Sequence, residues 1–162
     1  MRKAFVIVSG LLLVAFALQF VFAAVGAFTK PAGDGSYALH SINGMAVIPV
    51  LTILTIVFAA LARAPGRVIG MAALPLGLVV LQVLLAALAS GLTDDSGGST
   101  TVGLIIGGLH AVNGIIAVHV VVGVLRAAQQ LGRPAAEPGG LSADAARHPH
   151  EMPAQAAGEG SR

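Results

Sequence analysis

Four long stretches without a charged side chain divide the sequence, at residues 4–29, 35–62, 68–93 and 96–125. About 20 predominantly apolar residues are enough for a helix to cross the hydrocarbon core of a bilayer, so each stretch is long enough to span one. Only 10% of the residues are charged, whereas an ordinary soluble domain has about 25%. The sequence therefore predicts an all-α integral membrane protein, a bundle of four spanning helices.

The segments between these stretches have the composition of turns. They read TKPAGDGS, RAPGR and TDDSGGST, and each contains glycine together with proline, aspartate or serine. The predicted helices span residues of about 4–28, 36–62, 67–92 and 101–126, within a transmembrane domain of residues 1–128. The remaining residues, 129–162, are rich in alanine, proline and glycine and carry charges of both signs, which is typical of a disordered cytoplasmic tail.

The distribution of basic residues predicts the orientation of the chain. Six of them lie at helix ends on one side of the membrane: Arg2, Lys3, Arg63, Arg67, Arg126 and Arg133. The two loops on the other side contain Lys30, Asp34, Asp94 and Asp95. By the positive-inside rule, both termini are cytoplasmic and the first and third helices run outward. We accordingly expect a multi-pass protein of the cytoplasmic (inner) cell membrane.

Two parts of the sequence resemble each other. The segment LQFVFAAVGAF precedes LHSINGMAV in the first half, and LQVLLAALASGL precedes LHAVNGIIAV in the second. Each copy has glutamine on its outward helix, and histidine and asparagine, three residues apart with glycine behind, on its return helix. The pattern predicts two parallel helical-hairpin repeats, related by an approximate two-fold axis along the membrane normal.

The first charge-free stretch, residues 4–29, has an alternative interpretation as a secretory signal peptide. Arg2 and Lys3 would be its basic start, and the small residues within 23–27 its cleavage region. However, its apolar stretch is longer than the roughly 7–15 residues of such a signal, and it contains Gln19, which belongs to the first repeat. We therefore expect a spanning helix.

The repeated polar residues predict a site in the outer half of the membrane. At a rise of 1.5 Å per residue, Gln19 and Gln82 lie about 14–15 Å below the outer ends of their helices, and His110 lies about 13.5 Å deep. Gln82 and His110 can therefore meet. If Asp34 caps the second helix, His40 is about 9 Å deep and lies shallower than its counterpart.

The two histidines are candidate axial ligands of a b-type haem. Four-helix bundles build cofactor sites from inward side chains on facing helices, and His40 and His110 are on the two diagonal helices. Amide side chains could orient the rings, and adjacent glycines leave space for a neighbouring helix or a flat ligand. The candidate pocket residues are Gln19, Asn43, Gln82, Asn113, Gly44, Gly107 and Gly114. The spacing is compatible with haem but is not a haem fingerprint.

Two other functions fit the same residues. Glutamine, histidine and asparagine could act only as hydrogen-bonding groups that fix helix packing, in a structural or accessory membrane protein. Alternatively, they could line a small-solute or proton pathway. The absence of any Asp, Glu, Lys or Arg from the four charge-free stretches counts against a pathway, because charged groups are typical of such routes.

The sequence excludes several classes of protein. It has no cysteine and no recognisable nucleophile, paired acids, phosphate loop or closed metal cluster, so we expect neither an enzyme nor a metal-ion site. Its net charge of +2 comes from loops and tail and does not indicate nucleic-acid binding. The expected partners are the lipid bilayer and a membrane protein or a second copy of the chain.

A few further residues carry smaller predictions. His119 has no counterpart in the first repeat, where the matching position is Pro49, so we expect it to pack against a neighbour or another subunit. Pro49 and Pro75 predict kinks in the second and third helices. Asp94 and Asp95 predict a solvated turn rather than a cation site.

Three stretches, LHSINGMAVIPVLTILTIVFAALARAPG, LGLVVLQVLLA and GLHAVNG, resemble a family of small four-helix membrane proteins from high-GC Gram-positive bacteria. The resemblance covers residues 39–125 apart from the outer loop, and the first helix loosely. Gln82 and the two LHxxNG motifs correspond to its recurring features. The family has no assigned activity, so the resemblance implies fold and topology only. The chain is also similar, in architecture alone, to four-helix b-type cytochromes.

Overall fold

A computed structural model of the chain describes residues 1–33 and 35–133. Within these residues the regular structure is helical, apart from one isolated β-bridge between Thr93 and Ser99. Four helices are each long and apolar enough to cross a membrane: α1 (Arg2–Phe28), α2 (Ala38–Leu61), α3 (Gly66–Gly91) and α4 (Thr101–Gly132). The predicted all-α fold with four spanning helices is therefore confirmed. The predicted cap Asp34 and residues 134–162 of the predicted tail lie outside the described residues.

Two of the differences between the observed and the predicted helix ends follow from packing against α1. Helix α2 starts at Ala38, later than expected, because residues up to Tyr37 form turns beside α1. Helix α4 continues to Gly132 instead of ending near residue 126, since Ala128 and Leu131 pack against the start of α1. Its extended C-cap residue is Arg133, as expected before a proline.

The helices form a ring in which each contacts its neighbours in sequence, and α4 closes the ring against α1. Consequently, α2 and α4 lie across the bundle from each other. The outward surfaces are strongly apolar, with Leu11, Ile53, Leu84 and Ile105 among the exposed side chains. Apolar groups on both the inward and outward surfaces of a helix are what a lipid bilayer environment requires.

One end of the bundle is densely packed. We call it the closed end; it contains Met1, the turn between α2 and α3, and Arg133. Its buried cluster combines large side chains with many alanines: Phe5, Ala59, Ala62, Ala64, Val68, Ala72, Val124 and Ala128. Small residues allow membrane helices to approach closely. A second buried cluster continues toward mid-bundle with Leu12, Ala15, Phe16, Ile48, Ala117 and Val121.

The opposite end, which contains the α1–α2 and α3–α4 loops, is more loosely packed. We call it the open end. The buried residues of α3 are Val68, Ala72 and Pro75, so no residue of its second half is buried. The first hairpin (α1–α2) and the second hairpin (α3–α4) thus pack together near the closed end and separate toward the loops, which leaves space between them.

Helix α2 contains a π-helical turn at Asn43–Val47. The N–H of Ile48 donates to the carbonyl of Asn43, five residues back, and Pro49 follows without an N–H of its own. A π-bulge thus directly precedes Pro49, and such bulges often occur at functional sites; the kinks expected at Pro49 and Pro75 stay predictions. In contrast, α3 stays α-helical through Pro75, and α4 is α-helical throughout.

The loop before α2 packs closely against α1 at Gly26. A Cβ atom on Gly26 would lie 2.5 Å from Cδ1 of Tyr37 and 2.9 Å from the backbone oxygen of Ser36. These distances are shorter than side chains tolerate, so only glycine allows this approach. The loop can thereby run back along α1 and start α2 well below the end of α1.

We predict that Gly26→Ala lowers stability by about 1–3 kcal/mol, the usual cost of overpacking. The backbone oxygen of Ser36 cannot move without displacing the start of α2. Gly10→Ala is the matched control, because a Cβ there meets nothing within 4 Å and alanine is the better helix former. Unfolding of both variants by SDS in mixed micelles measures the difference. Equal stability of the two variants would contradict the close packing.

Candidate functional site

The first hairpin contains a hydrogen-bonded network of Gln19 on α1 with His40 and Asn43 on α2. The amide nitrogen of Asn43 donates to Oε1 of Gln19 at 2.7 Å and to the carbonyl of Ala15 at 2.9 Å. The amide nitrogen of Gln19 donates to the carbonyl of His40 at 3.0 Å. The Nδ1 of His40 lies 3.1 Å from the carbonyl of Gln19. These contacts tie the two helices together at one level.

The second hairpin contains a network of Gln82 on α3 with His110 and Asn113 on α4. The amide nitrogen of Asn113 donates to Oε1 of Gln82, and to the carbonyl of Leu78 at 2.9 Å. The amide nitrogen of Gln82 donates to the carbonyl of His110 at 2.7 Å. The Nδ1 of His110 lies 3.0 Å from the carbonyl of Gln82. The predicted meeting of Gln82 and His110 is confirmed.

Each of these contacts in one hairpin has a counterpart in the other. Ala15 and Leu78 each lie one helical turn before the glutamine, so each asparagine reaches two groups on the same face of the opposite helix. One further contact occurs only in the first hairpin, where Nε2 of His40 lies 3.2 Å from Nε2 of Gln19. Over the described residues, His110 has no equivalent contact at its Nε2.

The prediction that His40 lies shallower than its counterpart is wrong. His40 bonds to Gln19 as His110 bonds to Gln82, so both histidines are level with their glutamines. The prediction placed the helix start near Asp34. The loop instead descends along α1 past Gly26, and the helix starts deeper, at Ala38.

The two imidazoles face each other across the bundle. The ring centroids of His40 and His110 are 6.2 Å apart, and the ring planes are tilted by 45°. Tyr37 approaches His40 from the loop side, edge-on, with ring centroids 6.3 Å apart. The two imidazoles therefore approach each other between the hairpins, while the hydrogen bonds of each network stay within one hairpin.

A cavity of about 380 Å³ lies between the hairpins in the half toward the open end, with walls from all four helices. Both histidines line it, as do five other residues predicted for the pocket: Gln19, Gly44, Gln82, Asn113 and Gly114. The two remaining predicted residues are elsewhere. Asn43 is buried behind the wall at 5% exposure, and Gly107 is not among the lining residues.

Much of the wall comes from residues that the sequence did not single out. Phe16 and Phe20 on α1 and Val79 and Val83 on α3 give it an apolar character. An apolar side chain in a membrane helix gives no signal of its own, because lipid-facing and cavity-facing positions have the same composition. The carbonyl acceptors of Ala15 and Leu78 were missed for a similar reason, since any residue can supply a carbonyl.

The glycines behind the histidines have different neighbours. A Cβ on Gly44 would lie 2.6 Å from Nε2 of Gln19, so this glycine makes room for the Gln19 amide. A Cβ on Gly114 would lie 3.5 Å from Nε2 of Gln82 and from Cζ of Phe20, which is ordinary contact. The sequence predicts that this space holds either a neighbouring helix or a flat ligand. At Gly44 it is filled by the Gln19 side chain of the neighbouring helix α1.

His119 and the α3–α4 loop lie outside the cavity wall. His119 is exposed on α4, with its Nδ1 2.9 Å from the carbonyl of Ile115. In the loop, the Asp94 carboxylate accepts hydrogen bonds from the hydroxyl and N–H of Ser96 and from the N–H of Gly98. These bonds, the Ser96 hydroxyl foremost, hold the pKa of Asp94 below its usual value. The described residues contain no cluster of three or more histidine or carboxylate metal ligands.

The comparison of the chain with known protein families finds a match. The sequence profile of a family of unknown function (DUF6220) matches residues 19–90. The match starts at Gln19 and covers the remainder of α1, all of α2 and nearly all of α3, including both glutamines and His40. This agrees with the expected resemblance to an uncharacterised family. Neither a curated protein nor a solved structure matches the chain.

We predict that Asn43→Ala and Asn113→Ala each destabilise the bundle by about 1–3 kcal/mol, since each removes two interhelical bonds of roughly 0.6–1.7 kcal/mol. Ser9→Ala is the control, because the buried Ser9 hydroxyl bonds only to Phe5 on its own helix. SDS unfolding compares the three variants. If both asparagine variants unfold like the Ser9 variant, the networks do not hold the hairpins together.

Proposed function

We propose that the protein is a four-helix membrane protein that holds a b-type haem between His40 and His110 and serves electron transfer. The observation that carries this proposal is the pair of facing imidazoles, 6.2 Å apart between ring centroids, on the wall of a single cavity. Bound haem would supply one-electron iron chemistry, while the protein supplies ligands, orientation and an apolar surrounding.

The separation of the rings suits axial ligation. A metal–imidazole bond is about 2 Å long, so two opposed imidazoles on one metal place their ring centroids about 6 Å apart. The ring centroids of His40 and His110 are 6.2 Å apart. The two histidines come from helices on opposite sides of the bundle, as ligands to opposite faces of a porphyrin must.

The hydrogen bonds favour the ligating form of both rings. A backbone carbonyl can only accept a hydrogen bond, so the Nδ1 atoms beside the carbonyls of Gln19 and Gln82 must carry the ring protons. Each neutral ring then has its lone pair on Nε2. Metal-bound histidines commonly have this arrangement, with the other ring nitrogen donating to a carbonyl.

The cavity has the size and composition of a ligand site. Its volume of about 380 Å³ lies within the roughly 300–1,000 Å³ typical of small-molecule pockets. Apolar and aromatic side chains form most of its wall, and the polar groups converge on the two histidines. Among the described residues, the acidic side chains, Asp94 and Asp95, lie in the α3–α4 loop. This distribution favours a bound apolar cofactor over a proton or solute pathway.

The proposal includes the arrangement of the chain in the membrane. The two matched networks support hairpins that are copies of one unit, related by an approximate two-fold axis. The closed end, with its basic residues, would face the cytoplasm by the positive-inside rule. The haem would then lie in the outer half of the cytoplasmic membrane, and electrons would be exchanged near its outer surface. We propose no catalytic reaction for this site.

A structural role is the second candidate. Every hydrogen bond of the two networks joins helices of the same hairpin, and the Nε2 of His40 already has Gln19 beside it. Residues that only fix the packing of each hairpin would give the same contacts. Such a protein would be colourless, and its histidine variants would change stability alone.

Absorption spectra distinguish the two candidates. We expect protein purified in mild detergent from haem-supplemented cells to show a Soret band and, after dithionite reduction, the sharp α and β bands of low-spin haem. Low-spin ligation needs both imidazoles, so His40→Ala and His110→Ala should each lose the sharp bands, and the double variant should lose haem altogether. His119→Ala is the control and should keep the wild-type spectrum, because His119 is exposed on α4 outside the cavity wall.

Spectra of the same samples can also contradict the proposed haem binding. A colourless wild-type protein despite ample haem, or a double variant with an unchanged spectrum, would overturn haem binding at this site and leave the structural role.

A further inference from the structure

The two histidines differ in one hydrogen-bond contact. In the first hairpin, the amide nitrogen of Gln19 lies 3.2 Å from Nε2 of His40 and also donates to the carbonyl of that residue. Because Nδ1 of His40 carries the ring proton, Nε2 can accept a hydrogen bond from the Gln19 amide. The amide of Gln82 donates to the carbonyl of His110 and has no such contact with the ring.

The backbone around the two histidines differs as well. His40 lies two residues after the start of α2, whose N-cap residue Tyr37 makes no side-chain capping bond. A π-helical turn follows it at Asn43–Val47. His110 lies nine residues after Thr101 in a continuous helix, and the side chain of Thr100 caps that helix by accepting from Gly103. Uncapped helix ends open more easily than helix interiors, and His40 is nearer to such an end than His110.

From this asymmetry we infer that the haem site has one exchangeable axial position, on the His40 side, which takes a small neutral diatomic ligand. The inference rests on the proposed haem binding. His110 is the permanent ligand, because a released His110 ring would find no donor for its Nε2 among residues 1–33 and 35–133. A released His40 ring has the Gln19 amide beside it. A ligand equilibrium shifts toward the state in which more groups are satisfied.

Carbon monoxide is the probe for this position. If a reduced haem were held by His40 and His110, added carbon monoxide would take the position that Nε2 of His40 gives up. The freed lone pair on Nε2 accepts the N–H of the Gln19 amide. No proton leaves either side chain and the iron keeps its oxidation state, so the exchange needs no further reactant.

The test is a carbon monoxide titration of the dithionite-reduced protein, followed by the shift of the Soret band. We expect wild-type protein to bind the gas, and Gln19→Met to bind it about 2- to 10-fold more weakly, the equivalent of one neutral hydrogen bond. Gln82→Met is the matched comparison, because it loses the same bonds to the asparagine and the histidine carbonyl. The difference between the two variants isolates the contact at Nε2 of His40.

The single histidine variants give an independent readout. His40→Ala should retain high-spin, five-coordinate haem that binds carbon monoxide at least as tightly as wild type, whereas His110→Ala should lose most of its haem. This comparison remains informative if Gln19→Met does not fold.

The outcomes separate the two proposals. A wild-type protein with a full low-spin spectrum that binds no carbon monoxide would overturn the exchangeable position and leave haem binding intact. Weaker binding in Gln82→Met than in Gln19→Met, or haem retained by His110→Ala and lost by His40→Ala, would assign the roles the other way round and overturn the inference. A colourless protein would overturn both proposals.

Discussion

In the hydrocarbon core of a bilayer, no water is available to satisfy a polar group, so each one needs a partner within the protein. The two networks meet this requirement with backbone carbonyls as well as side chains. Asn43 reaches the carbonyl of Ala15, and Asn113 that of Leu78. A carbonyl only accepts, so in the neutral rings of His40 and His110 the proton is on Nδ1. The need to satisfy Nδ1 of each neutral ring therefore leaves the lone pair on Nε2.

The shape of the bundle follows from where the helices have small residues and where their regular α-helical structure is interrupted. Alanines at the closed end let the four helices approach closely. Toward the open end, α3 has no buried residue beyond Pro75. Helix α2 begins only at Ala38 and contains a π-helical turn. The hairpins separate there, and the cavity is the space between them. The polar networks keep each hairpin closed at this level, so the separation occurs between hairpins instead of within them.

Much of this fold can be predicted from the sequence, because charge-free windows and turn residues depend only on local composition. The pairing of Gln82 with His110 was also accessible, since helical rise converts residue numbers into depth. The depth of His40 was not accessible. That depth depends on where the loop before α2 contacts α1. The contact is possible because Gly26 leaves room for the Tyr37 ring. The identity of either residue alone does not reveal this contact. Similarly, Gly44 is needed by the side chain of Gln19 on another helix, a relation that requires three-dimensional structure.

Two similar hairpins would give two equivalent histidines if their backbones were identical. At one of the matching positions where they differ, the first hairpin has Pro49 and the second has His119. Proline removes an N–H, α2 takes up a π-helical turn beside Asn43, and α4 remains a continuous α-helix. The polar networks keep matched contacts in the two hairpins while the two backbones differ in regularity.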